Sequence, residues 1–158
     1  MIQFNDDCTD LGPTRGCYTG AYQHEGVTLD FCEVGGHNRV LWNTLLNRQE
    51  CVWSTLYYMI KADQESDDEW IHAYNTLLHT LQHNTPLARC PLVIIVYQHD
   101  NIDAHVTDTQ LIRKVCRVFQ VDLLKRSRPV LVTVLCMWDW TRLAACVTHL
   151  LDWTLKHE

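Results

Sequence analysis

The sequence has no pair of cysteines at C-x-x-C spacing, no apolar run of membrane length, no repeat and no low-complexity tract. Each absence removes a class of protein. Without C-x-x-C pairs, a zinc ribbon has no ligand framework. The longest apolar runs, PLVIIVY (91–97) and PVLVTVLCMW (129–138), fall far short of the ~20 residues a membrane-spanning helix needs. The opening MIQFNDDCTD has neither a basic segment nor an apolar core, so no secretory leader is expected. Positive charge is scarce as well. Thirteen Lys and Arg against nineteen Asp and Glu give a net charge of −6, which argues against a nucleic-acid backbone as the partner.

What is present fits a globular chain. A length of 158 residues suits one domain with its own core, and the composition is 47% hydrophobic and 20% charged. A single domain over residues 1–158 is therefore expected. The eight cysteines are Cys8, Cys17, Cys32, Cys51, Cys90, Cys116, Cys136 and Cys146. Cys32, Cys51 and Cys136 sit in apolar segments, where a thiol behaves as a small buried hydrophobe. Reduced, structural cysteines in a cytosolic protein are the expectation.

Runs rich in β-branched and aromatic residues predict strands over Tyr18–His24, Val27–Glu33, Val52–Ile60, Leu92–Tyr97 and Val130–Cys136. Helices are expected between them. Asn38–Arg48 is short. Asp67–His83 places Trp70, Tyr74, Leu77, Leu78 and Leu81 on one face, with Asp67, Asp68 and Glu69 at the positive end of the helix dipole. Asp108–Phe119 repeats the pattern through Leu111, Ile112, Val115 and Phe119, with Asp108 as its cap. Thr141–His157 closes the chain with Leu143, Val147, Leu150, Leu151 and Leu155. The alternation from the third strand onward predicts a mostly parallel sheet with helices on both faces. The HEGV turn between the first two strands predicts an antiparallel hairpin at its edge.

Gly35-Gly36-His37 falls at the end of the second hairpin strand. Ligands of such sheets bind beyond the carboxyl ends of the strands, and glycine there lets backbone approach a ligand closely. Pro13-Thr14, the hairpin and then Glu33-Val34-Gly35-Gly36-His37 together resemble the Arf/Sar-type small GTPases. Those proteins carry a Pro-Thr pair in switch I and Asp-Val-Gly-Gly-Gln or Asp-Leu-Gly-Gly-His in switch II. The interval from Pro13 to His37 matches the family without a gap. The EGVTLDF return, Trp42, the strand VIIVYQHD and the segment SRPVLVTVLCMW add to the resemblance, which spans roughly residues 12–158.

The resemblance implies an α/β fold, a three-layer sandwich with a Ras-like sheet. It implies that Thr14 ligates magnesium and senses the γ-phosphate. Glu33, one methylene longer than the family's Asp, would orient a magnesium-bound water. Gly36 would meet the γ-phosphate through its N–H, His37 would orient the attacking water, and Asp100 would read guanine. The departures weigh as much as the matches. Tyr97 and Gln98 stand where the family has the Asn and Lys of its guanine-reading motif. No G-x-x-x-x-G-K-[ST] phosphate loop occurs in these 158 residues, and only twelve residues precede Pro13.

The expectation is thus an N-terminally trimmed Arf/Sar-like pseudo-GTPase without turnover. It would serve as a protein-interaction module, with partners in the vesicle-trafficking machinery and no cofactor. It would be cytoplasmic or peripheral to endomembranes. The alternative is a divergent or truncated GTP-binding protein that hydrolyses GTP with magnesium. A slot left by a missing central strand would be filled by Met1–Asn5 or by strand donation from a partner or second copy, giving a homo-oligomer in the last case.

Other constellations are weaker. His72, His79 and His83 share one helix, but no carboxylate or cysteine completes a metal set, so solvated histidines are expected. The acidic run 63–69 reads as a solvated helix start. Cys116 and Cys136 have no motif that would make either a nucleophile. Trp138 and Trp140 flank the last strand-to-helix turn, where they would fill an emptied base pocket or anchor a partner.

Overall fold

The structure is a computed structural model and describes residues 16–36, 39–47, 52–63, 66–98 and 107–157. The chain divides into two compact units, Met1–Arg48 and Gln49–Glu158.

In the first unit, β1 (Cys17–His24) and β2 (Val27–Val34) form an antiparallel hairpin, followed by α1 (Arg39–Leu46). The turn is two residues long. Glu25 and Gly26 both have positive φ, 48° and 81°, the backbone that matches the right-handed twist of a hairpin. Gly26 takes this conformation without a steric penalty. The register then follows from Cys17 opposite Val34 to His24 opposite Val27.

In the second unit, β3 (Leu56–Lys61), β4 (Leu92–Gln98) and β5 (Val130–Cys136) form a parallel sheet in the order β3-β4-β5. The helices are α2 (Asp67–His83), α3 (Asp108–Val118), the short α4 (Val121–Leu124) and α5 (Trp140–His157), with a 3-10 turn at Thr85–Leu87. Even-numbered positions of β3 face α2 and α3: Tyr58 donates to the Ala73 carbonyl at 2.9 Å, and its ring lies 6.4 Å from that of Phe119. Odd-numbered positions face α5, where Tyr57 hydrogen-bonds the Leu150 carbonyl at 3.4 Å and the Thr154 hydroxyl. Val93, Ile95, Leu135, Leu143 and Leu150 form the core on that side. Three layers, helix–sheet–helix, thus make up this unit.

The α/β class is as expected, but the single mixed sheet is not observed. The described strands form two sheets, β1-β2 and β3-β4-β5. The third strand begins at Leu56 rather than Val52. Val52 is 96% exposed, and pairing starts where Leu56 meets Leu92. The cap of α3 is Thr107 rather than Asp108: its hydroxyl accepts from the Gln110 N–H, and the Gln110 side chain accepts from the Thr107 N–H, a reciprocal capping box. Ser66 and Glu69 do the same for α2. Asp67 is held below the usual carboxylate range by its hydrogen bond to Lys114 and by that residue's charge. The same Lys114 ammonium sits 5.0 Å from the centre of the buried Trp70 ring, tying the start of α2 to α3.

Arg128 opens the segment that leads into β5. Its guanidinium donates to the carbonyls of Leu87 (2.8 Å), Ala88 (2.9 Å) and Cys90 (3.4 Å). A planar fork reaches three carbonyls in and just after the 3-10 turn, and so fixes the entry to β4.

Candidate functional site

The glycine pair at the end of β2 is built into the base of the hairpin. The Gly35 N–H donates to the Gly16 carbonyl at 3.0 Å, and the Gly35 carbonyl accepts from the Trp42 indole N–H at 3.0 Å. Gly16 has φ +99°, a conformation that favours glycine. Gly35 is buried, so both of its backbone groups are satisfied by protein. Gly36 is exposed, and a Cβ there would meet nothing within 4 Å. Neither crowding nor positive φ requires glycine at 36 in this structure.

Glu33 is exposed and lies opposite Tyr18, on the face of the hairpin that carries Phe31. Thr14, His37 and Asp100 lie outside the described residues. Among the expected site residues, only Glu33 and Gly36 can therefore be placed, three positions apart where β2 ends.

In the second unit, β4 ends at Tyr97 and Gln98. Tyr97, at the position of the family's Asn, packs against the core beside α5. Gln98, at the position of its Lys, is 7% exposed, and its side-chain carbonyl accepts from the Cys136 thiol at 3.5 Å. Its backbone carbonyl accepts from the Met137 N–H at 3.0 Å. Both side chains take part in packing or hydrogen bonding within this unit. Trp138 and Trp140 are 39% and 53% exposed.

Among the described residues, the histidines of α2 join no group able to hold a metal ion. The rings of His79 and His83 stack at 3.9 Å, and His83 Nδ1 is engaged by the His79 carbonyl at 2.8 Å. Cys116 and Cys136 are no better suited to nucleophilic work. Burial pushes both thiols up, and it pushes Cys90 up to about 11 against the opposing pull of the Arg128 charge.

Cys32 departs from its expected role. It is half-buried on the hairpin rather than enclosed in a core, and its Sγ lies 3.1 Å from Cys17 Sγ. The signal for this was present in the sequence. A two-residue turn at Glu25-Gly26 pairs residues whose numbers sum to 51, as in Cys17 and Val34. Cys32 pairs with Thr19, two positions along from Cys17 and hence on the same face.

No family model matches the chain, and no curated protein matches it.

Proposed function

We propose that the chain is a degenerate relative of the Arf/Sar-type GTPases that works as a protein-interaction module without nucleotide turnover. The observation that carries this reading is the end of β4, where Tyr97 and Gln98 are committed to packing and a hydrogen bond to Cys136. Support also comes from the βαβ order of the second unit and from the Val34-Gly35-Gly36 ending of the hairpin. Thr14 and Glu33 as magnesium ligands, Gly36 and Asp100 as nucleotide contacts, and His37 as the water-orienting group are then vestiges of a lost site. The exposed Met137 and Trp138 after β5, with Trp140 at the start of α5, supply apolar area for a protein partner, in keeping with a role in vesicle traffic. Among the described residues no helix is long and apolar enough to cross a membrane.

The test is a titration of the full chain with a fluorescent GDP analogue, with and without magnesium, against an adenine analogue as control. No saturable guanine-selective binding is expected. Submicromolar, magnesium-dependent, guanine-selective binding would overturn the proposal in favour of a divergent GTPase. His37→Ala should then abolish hydrolysis and leave binding intact.

A further inference from the structure

The hairpin brings two thiols together on a face that solvent reaches. Cys17 and Cys32 occupy diagonal positions on adjacent strands, with their sulfurs 3.1 Å apart. They share that face with Thr19, Ala21, Gln23, Thr28, Asp30 and Val34, of which all but Val34 are exposed. Cys17 is itself exposed and Cys32 half-buried. The other described thiols are placed differently. Cys90 and Cys136 are 5% and 2% exposed, and Cys90 donates to the Trp53 carbonyl at 3.3 Å. Cys146 is half-buried beside the Thr133 hydroxyl and the Val134 carbonyl.

We propose that Cys17 and Cys32 are a reversible redox site, at which a hydroperoxide converts the two thiols into a disulfide across β1 and β2. Cys17, the more exposed, attacks first. Its thiolate sulfur displaces hydroxide from the peroxide oxygen, giving a sulfenic acid and, after protonation, one water for hydrogen peroxide. The Cys32 thiolate then attacks the Cys17 sulfur and expels the hydroxyl group as a second water. In sum, two thiols and one hydrogen peroxide give one disulfide and two waters. The peroxide gains the two electrons that the sulfurs lose. A dithiol or glutathione reverses the step by thiol–disulfide exchange.

The geometry asks for little movement, since the sulfurs need to close by about 1 Å to reach bonding distance. The placement also gives the bond a consequence. Cys17 follows Gly16, whose carbonyl holds the Gly35 N–H, and Cys32 precedes Gly35 by three residues. A cross-link there staples the base of the hairpin, from which the Gly35-Gly36 turn emerges. The inference rests on the thiol pair alone and stands apart from any nucleotide chemistry.

The chain offers a direct test. Cleavage after Arg15 and Arg39 releases a peptide, residues 16–39, that holds Cys17 and Cys32 and no other cysteine. The reduced full chain is treated with graded hydrogen peroxide, quenched with N-ethylmaleimide, digested and weighed. The 16–39 peptide should become two hydrogens lighter and lose both maleimide labels before the Cys90 and Cys136 peptides change. Dithiothreitol before the quench should restore both labels. In Cys32→Ser, the Cys17 sulfenic acid should persist and be trapped by dimedone. In 8 M-range urea the preference for this pair should vanish. Oxidation of Cys17 to sulfinic acid without the bridge, preferential pairing with another cysteine, or equal bridging in urea would each overturn the proposal. The wild-type measurement decides the matter even if a serine variant fails to fold.

Discussion

β4 and β1 are strands of nearly equal length, seven and eight residues, with opposite surroundings. Every residue of β4 except Tyr97 is buried, because it has a hydrogen-bonded strand on each side and helices over both faces. No residue of β1 is fully buried; it has one described partner strand, and the exposed Tyr18 and Phe31 pack on each other with ring centres 6.0 Å apart. β-Propensity makes both strands, but among the described residues only the parallel unit turns its strand side chains into a close-packed core. The contrast extends to the thiols. Cys90 and Cys136 are enclosed and hard to ionise, whereas Cys17 and Cys32 face solvent as a pair.

The comparison is sharpest in a pair of truncations. Ile94→Ala, at a residue 0% exposed, should destabilise the chain by about 2–5 kcal/mol, because buried methylenes leave a cavity. Val27→Ala, at a residue 40% exposed, should stay within about 0.5 kcal/mol. Urea unfolding of both variants checks this, and equal losses would break the contrast between the units.

Arg128→Met keeps much of the aliphatic stem and removes the guanidinium. The carbonyls of Ala88 and Cys90 then lose the guanidinium donor and that of Leu87 keeps only the Cys90 N–H, with an expected loss of about 1.5–3 kcal/mol. Thermal unfolding reads the effect. An unchanged midpoint would mean that the entry to β4 is fixed by apolar packing alone.

The alkaline limb of the stability curve tests the buried thiols. The Cys90 thiol is raised in the folded chain from 9.0 to about 11. The unfolded chain therefore ionises first, and folding stability is intact below pH 9 and lost as pH rises toward about 11. The loss should reach up to about 2 kcal/mol, and Cys90→Ala should remove that part of the pH dependence. A steeper curve in the Cys90 variant than in the parent would contradict the assignment.

Much of the architecture could be read from residue order. The β-branched runs gave Val130–Cys136 its observed bounds, and the apolar spacing with an acidic first turn did the same for Asp67–His83. Both signals are local: side-chain shape on a pleated strand and apolar recurrence on a helical face. The start of β3 is not legible from propensity: Val52 looks like a strand residue, yet strand pairing begins only at Leu56. Buried threonines were also missed. Thr80 and Thr154 each satisfy a hydroxyl on a carbonyl four residues back, so they pack on faces that the pattern alone reserves for aliphatic side chains. Thr14, His37 and Asp100, the expected site residues outside the described ones, remain expectations from the family resemblance.

The sequence by itself determined the α/β alternation, the hairpin turn at Glu25-Gly26 and the charge balance, because propensity, φ preference and net charge are properties of residues and their neighbours. The tertiary structure alone decided that Tyr97 and Gln98 are spent on packing, that Arg128 gathers three carbonyls, and that burial suppresses Cys90 while solvent reaches Cys17. Those outcomes depend on which segments meet across tens of residues, and burial and electrostatic environment are created only when they do.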